Sequence, residues 1–517
     1  MILKQFYQKI TDYFDLKNRS IDFKVSLKNA FYNSSETILY PLLWVISTPI
    51  FVHYLGAEQY GIWMLVNGFI GFGGGAMGLG LTDATVKFVS KYRALNDIPA
   101  IVKVSRTTMT VYCLMGILVG IVVFGFAELL VENVFRVEEG NIQLTIIALK
   151  IGGIGIVARF FNDVFRSVIY AFERHDVNAK VTMGIDIVTM VINVILVIAG
   201  FDLLAVLLSS IIFLVIGGMI KAYISKKYFI NSLSFIPLYD KSVLKEVFSY
   251  SFYTWLQSIL RLSQSKLDRF LIAGIISVSG LTYYVIALKV AEIIHSVLAR
   301  ATSFVFPMVS QLVEKGNIKR LKEIYHKATF FIVIATIAII TPTYLFGFSL
   351  LEIWMGTDFA NEAILILYVF LAKYMFHPIG IINHHFLLGT GLVKLNTQFL
   401  AITVPLTLGL MLLLMPVYGL VGAALAKLVS IPSLLIMRIV SEKIVFKKLD
   451  IKSNLSYFIP AIVPFLLIIF WLINYPWLSY QIWMMIPLFL LFMLIGGGIG
   501  FFISKLCQKI NLMPAFR

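Results

Sequence analysis

The sequence predicts an all-α polytopic membrane protein of about fourteen transmembrane helices, arranged as two six-helix lobes plus two C-terminal helices. Three observations predict it. The 517-residue chain is 59% hydrophobic and only 14% charged, with a mean hydropathy of +0.90, whereas soluble domains carry roughly 25% charged residues. Apolar runs near the ~20 residues needed to cross a bilayer recur along the whole length, separated by short polar joints. Runs such as VTMVINVILVIAG (188–200) are apolar on every face. A membrane β-barrel would show ~10-residue stretches of alternating polarity instead.

Residues 1–32 carry Lys4, Lys9, Lys17, Arg19, Lys24 and Lys28 and have no uncharged core segment, so they do not read as a cleavable signal. Ile2, Leu3, Phe6, Tyr7, Ile10, Tyr13 and Phe14 fall at helical spacing opposite the lysines. That pattern suits an amphipathic helix on an anionic inner leaflet; a flexible basic tail is the alternative. Residues 33–225 form the first lobe, with spans centred near 44, 69, 119, 156, 188 and 213. The polar segment 226–245 links it to a second lobe, 246–443, centred near 261, 296, 338, 375, 405 and 430. Residues 444–517 supply two further spans, near 464 and 492, and a cytoplasmic tail.

The two lobes read as an internal repeat. Asn162 and Phe165 in FFNDVF match Asn383 and Phe386 in IINHHF, and Val89, Ser90 and Ile98 match Val309, Ser310 and Ile318. LLAVLLSS (203–210) resembles LVGAALAK (420–427). The matches keep their order at a near-constant offset, which predicts parallel halves related by an axis along the membrane normal, with a substrate cleft between them.

Charge sets the orientation. Thirty-two of the 43 basic residues fall in the two tails and in alternate joints, and the opposite joints hold only Arg136. The positive-inside rule then places both termini in the cytoplasm. The outer joints lean acidic, with Glu128, Glu132, Glu138, Glu139, Glu352, Asp358 and Glu362. Cytoplasmic cations are scattered over many short loops rather than gathered on one module, which argues against nucleic-acid binding despite the net charge of +16.

Ten basic residues remain within the spans: Lys150, Arg159, Arg166, Arg261, Lys266, Arg269, Lys289, Arg300, Lys373 and Lys427. The acidic ones are Asp163, Asp186, Asp268 and Glu292, with Glu36 at an edge. An isolated charge at mid-depth costs at least ~2.5–3.5 kcal/mol, so these residues should face a wet cavity or a partner. Arg159 and Arg166, and likewise Lys289 and Arg300, are spaced by close to whole numbers of turns and share a face. Asp163 is placed to bridge Arg159 and Arg166, and Glu292 to pair with Lys289. Such pairs leave a surplus of cations, which an anionic substrate would neutralise; arginine suits phosphate through its bidentate fork. Asp163, Asp268 and Glu292 are the candidates for a coupling proton or sodium ion.

Other motifs carry less. GFGGGA (71–76) matches a dinucleotide fingerprint but has no preceding strand. Gly71, Gly73, Gly74, Gly75, Gly78 and Gly80 are better read as close helix packing. Pro41, Pro49, Pro307, Pro342, Pro378, Pro405 and Pro432 are expected to kink helices. His377, His384 and His385 have no acidic or Cys partner at ligand spacing, and Cys113 and Cys507 lie far apart, so no metal site or disulfide is expected. No Walker A sequence and no nucleophile-and-base constellation appears, so the chain reads as neither an enzyme nor a cofactor protein.

LGAEQYGIWMLVNGFIGF (55–72) and GLGLTDATVKFVSKY (78–92), after a helix beginning near NSSETILYPLL, resemble the Wzx-type polysaccharide flippases. These belong to the MOP superfamily with the MATE multidrug exporters and lipid II flippases. The resemblance implies a MATE-like fold in the bacterial cytoplasmic (inner) membrane. It also implies transport of an undecaprenyl-diphosphate-linked oligosaccharide, an O-antigen or lipopolysaccharide precursor, by alternating access through a cationic inter-lobe cavity. Membrane lipids, H+ or Na+, and polysaccharide polymerase or assembly proteins are the implied partners. A cation-coupled multidrug exporter would need an acidic cavity, the opposite of the imbalance here. A non-transporting scaffold for polysaccharide assembly would leave the buried charges without a purpose.

Overall fold

The polar joints are where the helices end. The computed structural model describes residues 23–447, except Met77, Leu79, Leu233, Phe235 and Pro237. The expected N-terminal amphipathic helix, the spans near 464 and 492, and Cys507 lie outside the described residues. The first half comprises α1 (Phe23–Ala76), α2 (Leu81–Ala94), α3 (Ile98–Asn133), α4 (Ile142–Ala171), α5 (His175–Ile198) and α6 (Leu203–Ile224). The second comprises α7 (Lys241–Leu262), α8 (Asp268–Ile275), α9 (Val278–Ala301), α10 (Val305–Glu314), α11 (Ile318–Leu345), α12 (Gly347–Met355), α13 (Thr357–Phe376), α14 (Pro378–Gly389), α15 (Val393–Ala426) and α16 (Ser430–Phe446). No strand occurs among the described residues. By length and composition, eight of their helices can cross a membrane.

The backbone carries the repeat. Among the positive-φ positions, Asn96, Glu173 and Gly200 in the first half match Gly316, Gly391 and Gly419 in the second in order, while Gly56, Gly80, Gly356 and Lys447 have no such counterpart. Asp97 caps α3 by accepting from the Ala100 amide at 3.0 Å, and Asn317 caps α11 by accepting from the Arg320 amide at 3.0 Å. α1 breaks at Gly56, where φ is 78°, so LGAE is a turn that only glycine makes without strain. α15 breaks at Gly419, three residues past Pro416, and Pro378 separates α13 from α14.

Two faces close the molecule. At the end that carries the acidic joints, Thr282 Oγ1 donates to Ala57 O at 2.6 Å, Arg136 N to Ala273 O at 2.8 Å and Val278 N to Arg136 O at 3.1 Å. A Cβ at Gly61 would collide with the Val278 carbonyl oxygen, so α1 and α9 touch backbone to backbone there. At the basic end, the segment between the halves is strapped along α3. Arg106 Nε donates to Ile236 O at 2.9 Å, Leu238 N to Thr110 Oγ1 at 3.0 Å, and Lys103 pairs with Asp240 at 2.6 Å. Lys91 and Tyr92 of α2 both hold Glu246 of α7.

The cores do not divide at that segment. Val243 and Val247 of α7 complete the core of the first half, with Phe88, Val104, Phe160 and Phe165. Ile272 and Ala273 of α8 pack instead with Tyr284, Phe370 and Met411. A π-helical turn, Ser263–Leu267, joins the two segments.

Candidate functional site

Arg159, Asn162, Asp163, Arg166 and Tyr170 recur at three to four residues along α4 and so share one face. That face meets Asn178, Thr182 and Asp186 of α5 and Gly217 and Lys221 of α6 around a cavity of about 270 Å³. Gly217 lets α5 and α6 close: a Cβ there would press on Ile185 Cγ1 at 3.3 Å. Asp163 sits between both arginines, with Oδ2 3.3 Å from Arg159 Nε and Oδ1 3.2 Å from Arg166 Nη2. Its own side chain is 8% exposed, while that of Arg159 is 41% exposed and open to solvent. Arg166 Nε is buried and has no hydrogen-bond partner among the described residues. Three cations therefore line this cavity against two carboxylates.

Lys221 was not among the residues that the sequence singles out, because it sits where an apolar run gives way to a polar joint. It is a buried side chain, 3% exposed. Its ammonium donates to Asn162 Oδ1 at 2.9 Å and Thr182 Oγ1 at 3.0 Å. The repeat holds the missed signal: Asn162 answers to Asn383, and Lys221 to Arg438, also read as a joint residue and also buried. In the second half that position is closed. Arg438 pairs with Glu442 at 3.3 Å and lies 4.5 Å from the Tyr325 ring, while Tyr325 donates to Asn383.

The glycine run of α1 gathers three cations from three elements. Beside Gly68 lies Arg269 Cδ, beside Gly71 lies Lys266 Cε, and a Cβ at Gly74 would sit 2.6 Å from Arg159 Cγ. The arginine and lysine stems pack on glycine backbone, with the Arg159 head held by Asp163 and Arg269 Nε buried. Leu262 fills the site over Gly75 and Ile156 that over Gly73. GFGGGA is thus a packing groove.

The other candidates are dispersed. Lys150 lies 5.7 Å from the Phe124 ring on α3. Arg261 and Arg300 are exposed. Lys289 pairs with Glu292 at 3.8 Å. Lys373 and Lys427 line a second cavity of about 170 Å³ with Glu292, His295, Tyr374 and His377. There Lys427 pairs with buried Asp268, which also accepts from Tyr284 OH at 3.2 Å. The ten cations therefore do not line one cleft; they divide between two cavities, a groove and the surface. No group of three His, Cys, Asp or Glu among the described residues could hold a metal ion.

Outside the spans, Lys103 beside Asp240 holds that carboxyl well below the usual carboxylate range, with help from the Ser242 hydroxyl and the Val243 amide.

Comparison with known proteins places this architecture. The family described as "Polysaccharide biosynthesis protein" matches residues 26–313, more than half of the chain. A Shigella flexneri protein named "Putative O-antigen transporter" is 20% identical over 408 residues, covering 77% of this chain and 93% of that one. The inward closed structure of the lipid II flippase MurJ superposes with a TM-score of 0.69 at 15% identity, covering 92% of this chain and 98% of that one. An inward-facing multidrug resistance MATE transporter of the MOP superfamily gives 0.62 at 14% identity, covering 81% and 98%. The chain is a multi-pass membrane protein with the MATE and MurJ fold, and it belongs to the polysaccharide biosynthesis protein family.

Proposed function

We propose that the protein is a flippase that carries a lipid-linked oligosaccharide across the bacterial cytoplasmic membrane by alternating access. The observation that carries this reading is the surplus of cations in the α4–α6 cavity, where Arg159, Arg166 and Lys221 surround Asp163. Lys266 and Arg269 lie across the α1 glycines from Arg159 and extend positive charge toward the second half. A diphosphate brings the counter-charge that these groups lack, and the forked guanidinium matches its oxygens. The polyprenyl tail stays in lipid between the halves. The substrate class is undecaprenyl-diphosphate oligosaccharide, the class of chemistry that the name of the S. flexneri relative suggests.

In this reading, the rocking bodies are the lobes 33–225 and 246–443, joined by 226–245, and both termini are cytoplasmic. The basic end faces the cytoplasm. Asp163, Asp268 and Glu292 each sit in an ion pair, and any of them exchanges its partner for a proton or sodium ion during the cycle. Polysaccharide polymerase and assembly proteins receive the product on the far side.

The test is translocation of a fluorescent short-chain polyprenyl-diphosphate oligosaccharide in proteoliposomes. A charge-assisted hydrogen bond contributes about 1.5–3 kcal/mol, so each of Arg159→Ala, Arg166→Ala and Lys221→Ala lowers flux roughly tenfold or more with the fold intact. Unchanged flux in the triple variant overturns the site. Wild-type transport of cationic dyes without the oligosaccharide replaces the flippase by an exporter.

A further inference from the structure

The second cavity is a different object from the α4–α6 cavity. It is lined by α9, α13, α15, α16 and the π-helical turn, at about 170 Å³. Its charges pair off except for one. Lys427 is neutralised by Asp268, and Glu292 is matched by Lys289. Lys373 is 8% exposed and makes no ion pair with any described residue; its ammonium lies 4.6 Å from the Tyr374 ring centroid. Two histidines stand around it, one of them with an unmatched ring nitrogen. His377 Nε2 meets Ser430 Oγ at 3.1 Å, and His295 Nδ1 is buried with no hydrogen-bond partner among the described residues. A buried ammonium within the membrane and without an ion-pair partner favours an anion beside it.

We propose that this cavity is an anion site, separate from the diphosphate site, in which Lys373 binds one compact monoanion. At ~30 Å³ per water it has room for about five or six waters, enough for a partly hydrated chloride or a carboxylate and too little for a sugar diphosphate. The ion is either free inorganic chloride or the carboxylate of an acidic sugar on the substrate. The aromatic wall of Tyr374 lies on the Lys373 ammonium and holds its head within the cavity.

The experiment needs no transport. The full chain in detergent is unfolded thermally at constant ionic strength while a bulky sulfonate salt is replaced stepwise by chloride or by acetate. Constant ionic strength removes general screening. Binding to the folded state raises the unfolding midpoint in a saturable way. A rise with chloride alone assigns a free ion, and a rise with acetate assigns the carboxylate. Lys373→Met abolishes the rise and Lys373→Arg keeps it. Arg159→Ala also keeps it while losing oligosaccharide flux, so failure of this site and failure of the flippase reading are seen separately. The proposal falls if neither anion shifts wild type, or if Lys373→Met shifts as wild type does. Should Lys373→Met not fold, equilibrium binding of radiolabelled chloride and acetate to wild type decides: saturation by either supports the site, and no saturation by both removes it.

Discussion

Lys221 of α6 reaches the amide oxygen of Asn162 on α4 at 2.9 Å, and the Asn162 Nδ2 donates in turn to the Leu214 carbonyl of α6 at 3.2 Å. The two helices are therefore pinned by a reciprocal pair of polar bonds at the wall of the cationic cavity. Lys221→Met keeps the stem and removes the donor, leaving Asn162 Oδ1 and Thr182 Oγ1 unsatisfied. Stability should fall by about 1–3 kcal/mol and flux by roughly tenfold. Thermal unfolding and vesicle flux on one preparation check both.

Asp163 competes with the substrate for Arg159 and Arg166. Asp163→Asn removes that competitor and raises affinity for a polyprenyl diphosphate, read by tryptophan quenching or calorimetry. The same change costs about 1–3 kcal/mol of stability, because two guanidinium groups lose the negative charge and one of the two acceptor oxygens. Weaker binding in Asp163→Asn would show that the carboxylate positions the arginines instead of masking them.

Gly61→Ala forces a methyl group against the Val278 carbonyl. Overpacking of this kind costs about 1–3 kcal/mol, and here the cost falls only on the conformation in which α1 and α9 touch. The variant should populate the opposite state, with faster hydrogen exchange at 273–282. Exchange equal to wild type would mean that α1 shifts to absorb the methyl group.

The Lys103–Asp240 pair gives the strap between the halves a defined pH dependence. The folded-state carboxyl of Asp240 lies below its ordinary value, so the bond contributes fully above the unfolded carboxylate value of about 3.9 and is lost as pH falls toward the depressed one. At neutral pH, Lys103→Met should speed hydrogen exchange across 236–243. As pH falls from about 3.9 toward the depressed folded-state value, the two proteins should progressively converge. A difference that persists in strong acid would assign the effect to packing of the lysine stem.

Much of this was legible before any coordinates. Arg159, Asp163 and Arg166 share a face by spacing alone, and both ion pairs form as that spacing requires. The glycines of GFGGGA do admit close neighbours. Lys221 and Arg438 were not legible, because a charge at the end of an apolar run reads the same whether it leaves the membrane or turns inward to an asparagine on another helix. The division of the cations into two cavities was hidden for a related reason. Periodicity tells which residues share a face, and only tertiary packing tells which helix that face meets.

The passage of α7 and α8 from one core to the other bears on how the chain could be divided. Val243 and Val247 finish a core that is otherwise built from the first half alone, whereas Ile272 belongs to the larger core that both halves share. Fragments severed between 226 and 245 would each carry an unmatched surface, one a vacant slot and the other the helix that fills it. Co-expressed, they would reassemble through that helix as a key enters a lock. A cut after Leu267 would instead keep that helix with the core it completes, and the pieces would meet only through the larger core, where Tyr60, Leu149 and Leu207 pack with Ile272, Tyr284 and Phe370.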